Sequence, residues 1–415
     1  MAVRLNCRHG GNEMEARRTE LSVAYQGKNI SEEIKTYVEN FSYTDKATDE
    51  SDRISLTLKN IDARWLDSWM PEKEDKMDAS LIRYENGAAE ALVCGTFLID
   101  ELSFQGSPLT CTVQAVSAPI SSSFKSTKKK NTWNHITLKD LAAEIASNAG
   151  VSLIYDSQRT VSLSSIEQEK QTDAEFLQQL CKNYGFNRKV YSEKIILYDE
   201  EEYEKKPAVA EISQKDMQSW SYRTEIEGSY TGAKMSYTDP ENGKTYEASV
   251  GGGERILELS GKADSEVDAK LQAEAQLKEA NRNMTTLQFT LKVPIFLTAA
   301  STVNITGLGK ISGKYFLNTV KHSLSSGYKV SVTARRIPDE VDGAEEGTEG
   351  DIYIVVSGDT LWGIAKKFYG SGIKHTVIYN ANQESIEETA KKHGKRSSDN
   401  GHWIWPGQKL VIPEE

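Results

Sequence analysis

The chain has 415 residues, more than one hydrophobic core usually serves, so two to four domains are expected. Its 38 % hydrophobic and 27 % charged residues are ordinary for a globular protein. No apolar run approaches the roughly 18 residues of a membrane helix, and the opening MAVRLNCRHGGNEMEARR has no apolar signal core. The net charge of −11 opposes nucleic-acid binding.

The four cysteines, Cys7, Cys94, Cys111 and Cys181, form no CxxC pair and are expected as buried, reduced thiols of a chain made in a cytoplasm. The six histidines show no metal-ligand spacing, so neither a metal nor another cofactor is expected. One basic run, KSTKKK at Lys125–Lys130, has no interleaved aromatics and reads as a solvated loop.

Residues 1–120 are β-rich. ELSVAYQG alternates Leu21, Val23 and Tyr25, and RISLTLKN alternates Ile54, Leu56 and Leu58. ALVCGTFLIDELSF and LTCTVQAVSAP follow, and short strands at this spacing suggest a barrel or sandwich. Residues 121–205 are mixed. ITLKDLAAEIASNAG has Thr137 and Asp140 at capping-box spacing, an apolar face of Leu138, Leu141, Ala142 and Ile145, and Gly150 as a stop. TDAEFLQQLCKNYG repeats that design with Thr172, Glu175 and Gly185, its face being Phe176, Leu177, Leu180 and Tyr184. Cys181 lies beside that face and is expected in the core. A hairpin follows, turning near Ser192–Glu193.

Residues 206–338 return to strands. TTLQFTLKVPIF alternates Leu287, Phe289, Leu291 and Val293, and a second hairpin turns near Ser325–Gly327. DSEVDAKLQAEAQLKEAN is a helix by propensity, with Val267, Leu271 and Leu277 as its larger apolar residues. Gly251–Gly253 lacks the Lys-Ser/Thr of a phosphate loop and reads as a flexible loop. Residues 339–351, acidic and Gly-rich, read as a flexible linker. Residues 352–415 form a last domain. Asp359 is expected to cap the helix TLWGIAKKFYG, whose stripe is Leu361, Ile364, Ala365 and Phe368 and whose stop is Gly370. A second helix spans about Ile373–Asn382 with Val377, Ile378 and Ala381, and IWPGQKLVIP supplies a strand to pair with YIVV.

This last domain resembles LysM, a βααβ unit. The residues carrying the likeness are Tyr353, Val355, Gly358-Asp359-Thr360-Leu361, Ile364-Ala365, Tyr379, Asn382, Pro406-Gly407-Gln408, Leu410 and Ile412-Pro413. The resemblance implies a groove between two loops that takes N-acetylglucosamine-containing glycan. Its residues map here to Gly358, Asp359, Thr360, Leu361, Trp362, Trp403, Ile404 and Pro406, as glycan- or partner-binding positions. Trp362, Trp403 and Trp405 either stack on sugar, cover the small core or face a protein. This sequence departs from the short loop usual in wall-binding repeats: QESIEETAKKHGKRSSDNGHW intervenes, and its first part, Ile386–His393, is expected to be an extra helix beside the groove. There is also one copy, where wall binders gain avidity from several.

Residues 1–338 resemble the phage late control protein D family, the baseplate hubs of contractile tails. The likeness lies in RISLTLKNIDARWLDSWMPEKEDKMDASL, CGTFLIDELSFQGSPLTCTVQAVSAP, ITLKDLAAEIASNAG and SSIEQEKQTDAEFLQQLCKNYGF. It implies an α+β, multidomain chain: a first tube-like β-barrel (1–120), a small mixed α+β insert (121–205), a second β-barrel (206–338), an acidic linker (339–351) and the LysM domain (352–415). It also implies a homotrimer that joins a hexameric tail tube protein to a trimeric central spike protein. Such a hub is assembled in the bacterial cytoplasm and carried in the released virion or tail-like particle. The expected function is structural, with LysM docking on inner baseplate or wedge proteins; the alternative is a tail-associated protein whose LysM grips peptidoglycan during penetration. An acidic hub wall would let DNA or protein cargo pass without sticking. No catalytic residue is expected: the pairs Asp100/Glu101 and Glu200/Glu201 read as solvated faces, since adjacent strand residues point to opposite sides.

Overall fold

The computed structural model describes residues 3–5, 17–48, 50–117, 123–226, 228–240, 243–338, 350–355, 358–406 and 408–413. The chain divides into two units, Met1–Ile337 and Pro338–Glu415. Most of the expected linker, 339–349, and Cys7 lie outside the described residues; Gly350 and Asp351 already belong to a strand of the second unit.

The first unit is built on one 14-stranded sheet. In spatial order its main path is Met217–Thr224, Thr285–Leu291, Tyr328–Arg336, Gly313–Leu324, Val38–Lys46, Arg53–Lys59, Thr110–Val116, Ala88–Gln105, Lys76–Glu85, Arg18–Tyr25 and Lys28–Asn29. Val3–Leu5 adds to Ala88–Gln105, and Ala210–Ser213 reaches the path through Thr302–Thr306. The two β-rich blocks expected as separate barrels are therefore strands of one sheet. They join where Thr319–Leu324 pairs antiparallel with Phe41–Lys46. Among the described strands the sheet closes into no barrel, because Met217–Thr224 and Lys28–Asn29 end its path.

Two apolar cores lie along this sheet. The first buries Ile54, Leu56 and Leu58, the expected inward set, with Phe41, Phe97 and Val113. The second buries Leu287, Phe289 and Leu291 with Tyr315, Phe316 and Val332. Each such side chain contributes about 1.5–3 kcal/mol by leaving water. Val293, expected to continue this alternation, falls beyond the strand end and is exposed. At the junction the His322 ring stacks between Tyr43 (5.9 Å) and Tyr328 (6.0 Å). Burial pushes this imidazole down to about 4, so it is a neutral bridging group.

The insert has its own core. Thr137 caps Leu138–Asn148 by accepting the Asp140 N–H at 3.1 Å, and Thr172 with Glu175 forms a full capping box on Asp173–Asn183. The expected faces of both helices are buried, with Cys181 among Phe176 and Leu180. KSTKKK is no loop. Lys129 opens the strand Lys129–Thr137, which pairs with Ser162–Gln171, and its ammonium meets the buried Asp173 at 2.6 Å. The helix Glu266–Asn281 also packs differently from expectation. It buries Ala269, Gln272 and Ala273, while Val267 and Leu271 face solvent. Small side chains let it lie close on the three-stranded sheet of Gly232–Thr238, Thr245–Gly251 and Ile256–Leu259.

Two buried ionic nodes hang the insert on the sheet. In the first, Lys189 of the hairpin Phe186–Tyr191/Lys194–Asp199 donates to Asp45, to Asp52 at 3.1 Å and to the Lys46 carbonyl at 2.7 Å. Asp45 also accepts the Ala299 N–H at 2.8 Å, and Asp52 accepts from the Lys46 N–H at 2.9 Å and from the Tyr43 hydroxyl at 3.1 Å. In the second, Arg335 grips Glu200 and Glu204, which also take Arg282 and Lys278, each at 2.6 Å. Glu200, expected as a solvated face, is buried because two guanidinium groups meet its carboxylate; Asp100 and Glu101 are exposed. Burial pushes Glu200 up, but Arg335 and Arg282 outweigh it and hold its carboxyl below the ordinary value.

Burial, reinforced by the Asp45 charge, pushes Asp52 up to about 7 against the opposing pull of Lys189. A carboxyl whose proton is held more tightly in the folded state stabilises fully below its unfolded pKa near 3.8, and that contribution is lost as pH rises through about 7. Asp52→Asn is expected to flatten the stability slope between those limits, read by denaturant titration at several pH values. Lys189→Met leaves two carboxylates buried without their cation and is expected to cost about 3–5 kcal/mol.

Candidate functional site

The second unit carries the candidate site. Its strands Gly350–Ile354 and Lys409–Pro413 pair antiparallel, as expected, and enclose helices Leu361–Tyr369, His375–Ala381 and Gln383–Lys392. The cap of the first helix is Thr360 rather than Asp359. The Thr360 hydroxyl accepts the Gly363 N–H at 3.0 Å, three residues on, which is the reach of an N-cap. Asp359, one residue earlier, instead accepts the Tyr353 hydroxyl at 2.8 Å and pins the loop to the entry strand. Gly370 ends the helix at φ +68°, as expected.

Leu361, Ile364 and Ala365 pack on Ile378, Tyr379, Leu410 and Ile412. Phe368 is not in that stripe: it is 37 % exposed and lies edge-on to Tyr353 at 5.6 Å. Val377 is likewise exposed. Asn382 holds the closing strand like a splint. Its amide nitrogen donates to the Ile378 and Val411 carbonyls, at 2.8 and 2.7 Å, while its oxygen accepts the Val411 N–H at 2.8 Å.

The long insertion is part of this core. Its helix, expected over Ile386–His393, runs Gln383–Lys392 and buries Ile386 and Ala390. Glu387 accepts from the Tyr379 hydroxyl at 3.0 Å and from both the N–H (3.0 Å) and hydroxyl of Ser398. The Ser398 contacts hold its carboxyl below the usual range. Asp399, Asn400 and Gly401 then take three successive positive φ values of 56°, 53° and 80°. This bend seats Gly401 so close that a Cβ there would lie 2.2 Å from Leu361 Cδ1 and 3.0 Å from Tyr379.

The segment before the first helix and the end of the insertion therefore meet, at Leu361 and Gly401. Leu361 is buried beneath that contact and offers no surface. Gly358, Thr360 and Pro406 are exposed, Asp359 and Ile404 are half-buried, and Ile404 packs on the core. Trp362 is 53 % exposed and Trp403 43 %. Sequence reading overlooked that every histidine of this unit meets a tryptophan: His375 with Trp362 (5.6 Å), His393 stacked on Trp405 (4.7 Å) and His402 edge-on to Trp403 (4.9 Å). Lys395 sits over Trp403 at 4.3 Å. The glycines were the available signal: a Cβ on Gly372 would strike the Trp362 ring at 2.3 Å. Among the described residues there is no group of three His, Cys, Asp or Glu placed to hold a metal ion, and no helix long and apolar enough to cross a membrane.

The LysM domain family matches residues 353–389. The C-terminal unit carries a LysM domain. Outside that match, the unit's insertion adds the turn Ser398–Gly401 to the LysM core. The chain is 44 % identical over 62 residues to the uncharacterized protein YqbP of Bacillus subtilis (strain 168), covering 15 % of this chain and 27 % of that protein. It is 28 % identical over 157 residues to a probable baseplate hub protein of Escherichia phage 186, covering 35 % of this chain and 40 % of that protein. The chain spans between 27 and 45 % of the length of the curated relatives it matches. Among solved structures it resembles the tail protein from Neisseria meningitidis MC58, with a TM-score of 0.61 and 11 % identity, over 77 % of this chain and 96 % of that one. The fold is that of a phage tail protein, mostly β and multidomain.

Gly401→Ala adds a methyl group at a positive φ and against Leu361. It is expected to destabilise the LysM unit by about 1–3 kcal/mol, seen as a lower thermal midpoint for that unit with the first unit unchanged.

Proposed function

We propose that the chain is a structural baseplate hub of a contractile phage tail or tail-like particle. In this reading it forms a homotrimer whose two joined β blocks per chain line a tube, joins a hexameric tail tube to a trimeric spike, and performs no catalysis. The observation that carries the reading is the tail-protein fold across 77 % of the chain, supported by the relative named as a baseplate hub. The weld between the two β blocks supports it too, since a part that transmits force needs its halves rigidly paired. Cys181, a thiol on a helix, lies wholly buried among Phe176 and Leu180, out of reach of a substrate.

Within that role the LysM domain docks on inner baseplate or wedge proteins through Gly358–Thr360, Trp362, Trp403, Ile404 and Pro406. The support is the insertion, which seats Gly401 on Leu361 and so occupies part of the inter-loop space with the chain itself. A second reading, grip on peptidoglycan, is favoured by the exposure of Trp362 and Trp403, whose faces suit sugar rings.

Two measurements separate these. Light scattering is expected to give three copies of the 46.2 kDa chain in solution; a stable monomer at all concentrations refutes the hub role as stated. Co-sedimentation of the full chain with purified sacculi is expected to show no glycan-competed pelleting. Strong pelleting that Trp362→Ala and Trp403→Ala abolish would transfer the assignment to wall binding.

A further inference from the structure

Among the described residues, the sheet of the first unit has an unpaired edge along Thr19–Leu21, before the strand Arg18–Tyr25 meets Lys28–Asn29. The hairpin pair Tyr25↔Lys28 brackets the turn at Gln26 and Gly27, so Tyr25 turns its backbone groups toward Lys28–Asn29. Two residues earlier, Val23 points the same way: its carbonyl accepts the Ile30 N–H at 3.0 Å and its N–H donates to the Ser31 hydroxyl at 2.9 Å. Backbone direction alternates along an antiparallel strand. Leu21 and Thr19, which stand opposite Leu81 and Arg83 in the ladder, therefore also aim their N–H and C=O groups away from Lys76–Glu85. Among the described residues no hydrogen bond reaches these four outward groups.

They face a groove of about 240 Å³. Its far wall is Val38 and Glu39, at a bulge where the strand Val38–Lys46 has not yet met Thr319–Leu324. Ile34, Val38 and Leu324 give it an apolar floor, and its ionisable lining is Glu20, Glu32 and Glu39 against Lys35. Lys35 pairs with Glu32 at 3.6 Å and Arg18, beside the groove, with Glu20 at 3.1 Å, so the rim keeps a net negative charge. Such a site combines unspent backbone donors and acceptors, room for alternate side chains and a negative rim. That is the chemistry of strand addition by a complementary peptide.

We propose that this groove takes an extended, basic segment of a partner protein, added as a strand along Thr19–Leu21. Its apolar side chains enter over Ile34 and Val38, and its Lys or Arg side chains meet Glu20, Glu32 and Glu39. The proposal does not depend on the hub reading, since it concerns a sheet edge whatever the particle.

The test uses the full chain and two synthetic peptides, acetyl-Lys-Val-Lys-Val-Lys-Val-amide and its counterpart with Glu for Lys, read by residue-resolved amide hydrogen exchange. The Lys peptide is expected to slow exchange at Thr19 and Leu21 by about tenfold or more, and the Glu peptide to leave it unchanged. Thr19→Pro removes an outward donor while the ladder bonds of Arg18 and Glu20 remain, and is expected to lose the effect. The exposed pair Glu32→Lys with Glu39→Lys serves as a second variant and is expected to reverse the peptide preference. No slowing with either peptide overturns the proposal. So does equal slowing with both, or protection that rises with protein concentration without peptide, which would give the edge to a second copy of the chain.

Discussion

The arrangement of the first unit depends on one ammonium group. Lys189 reaches from the insert into the sheet and is held by Asp45, Asp52 and the Lys46 carbonyl. Apolar contact is non-directional and would let the insert slide over the sheet. A buried cation with three acceptors has one position. The acceptors are themselves fixed from both β blocks, since Asp45 also takes the N–H of Ala299. The node thus registers insert, first block and second block at once. Burial costs it dearly, and two carboxylates against one cation leave it one charge in excess, which is why Asp52 holds its proton to about 7. Lys189 responds in the opposite sense: burial would depress it, yet the two carboxylates keep it above its ordinary value.

The second node, around Arg335, repeats the logic a short way further along the insert, at Glu200 and Glu204. Helix Glu200–Lys205 leaves the hairpin and meets guanidinium groups from the strand Tyr328–Arg336 and from Arg282. Two such points, at Lys189 and at Glu200 with Glu204, oppose rotation as well as sliding. The insert therefore moves with the sheet, and the sheet moves as one body because Phe41–Lys46 and Thr319–Leu324 share a ladder. The unpaired edge that the described residues leave at Thr19–Leu21 belongs to this stiff plate, which would order little of itself if a strand were added there.

What was legible in the sequence was local. Both capped helices, the turn at Ser192–Glu193, the hairpin at Ser325–Gly327 and the alternation of Ile54, Leu56 and Leu58 were readable because each signal lies within a few residues. Lys189 with Asp45 was not, being a contact across 144 residues between side chains that read as ordinary surface charges. Lys129–Thr137 hid for a related reason: its two large apolar residues, Trp133 and Ile136, stand three apart, so it carries no period-two signal, and only the pairing with Ser162–Gln171 reveals it. The helix Glu266–Asn281 misled by size, since alanines buried and, of the larger residues, only Leu277 packed while Val267 and Leu271 stayed out. At the LysM site the cap shifted by one residue because a neighbouring tyrosine claimed Asp359.

The LysM insertion shows how added chain becomes structure rather than decoration. A free loop of this length would cost closure entropy and give nothing back. Here Ile386 and Ala390 bury apolar surface, Glu387 ties the helix to Tyr379 and to Ser398, and the strained run Asp399–Gly401 bends the backbone onto Leu361. Positive φ at two non-glycine residues in succession persists only where surrounding contacts over-determine it. Those contacts lie between the loops where a LysM ligand is expected. The strain is therefore spent on shaping that surface, and the tryptophans exposed beside it, each braced by a histidine, are held for whatever the reshaped surface meets.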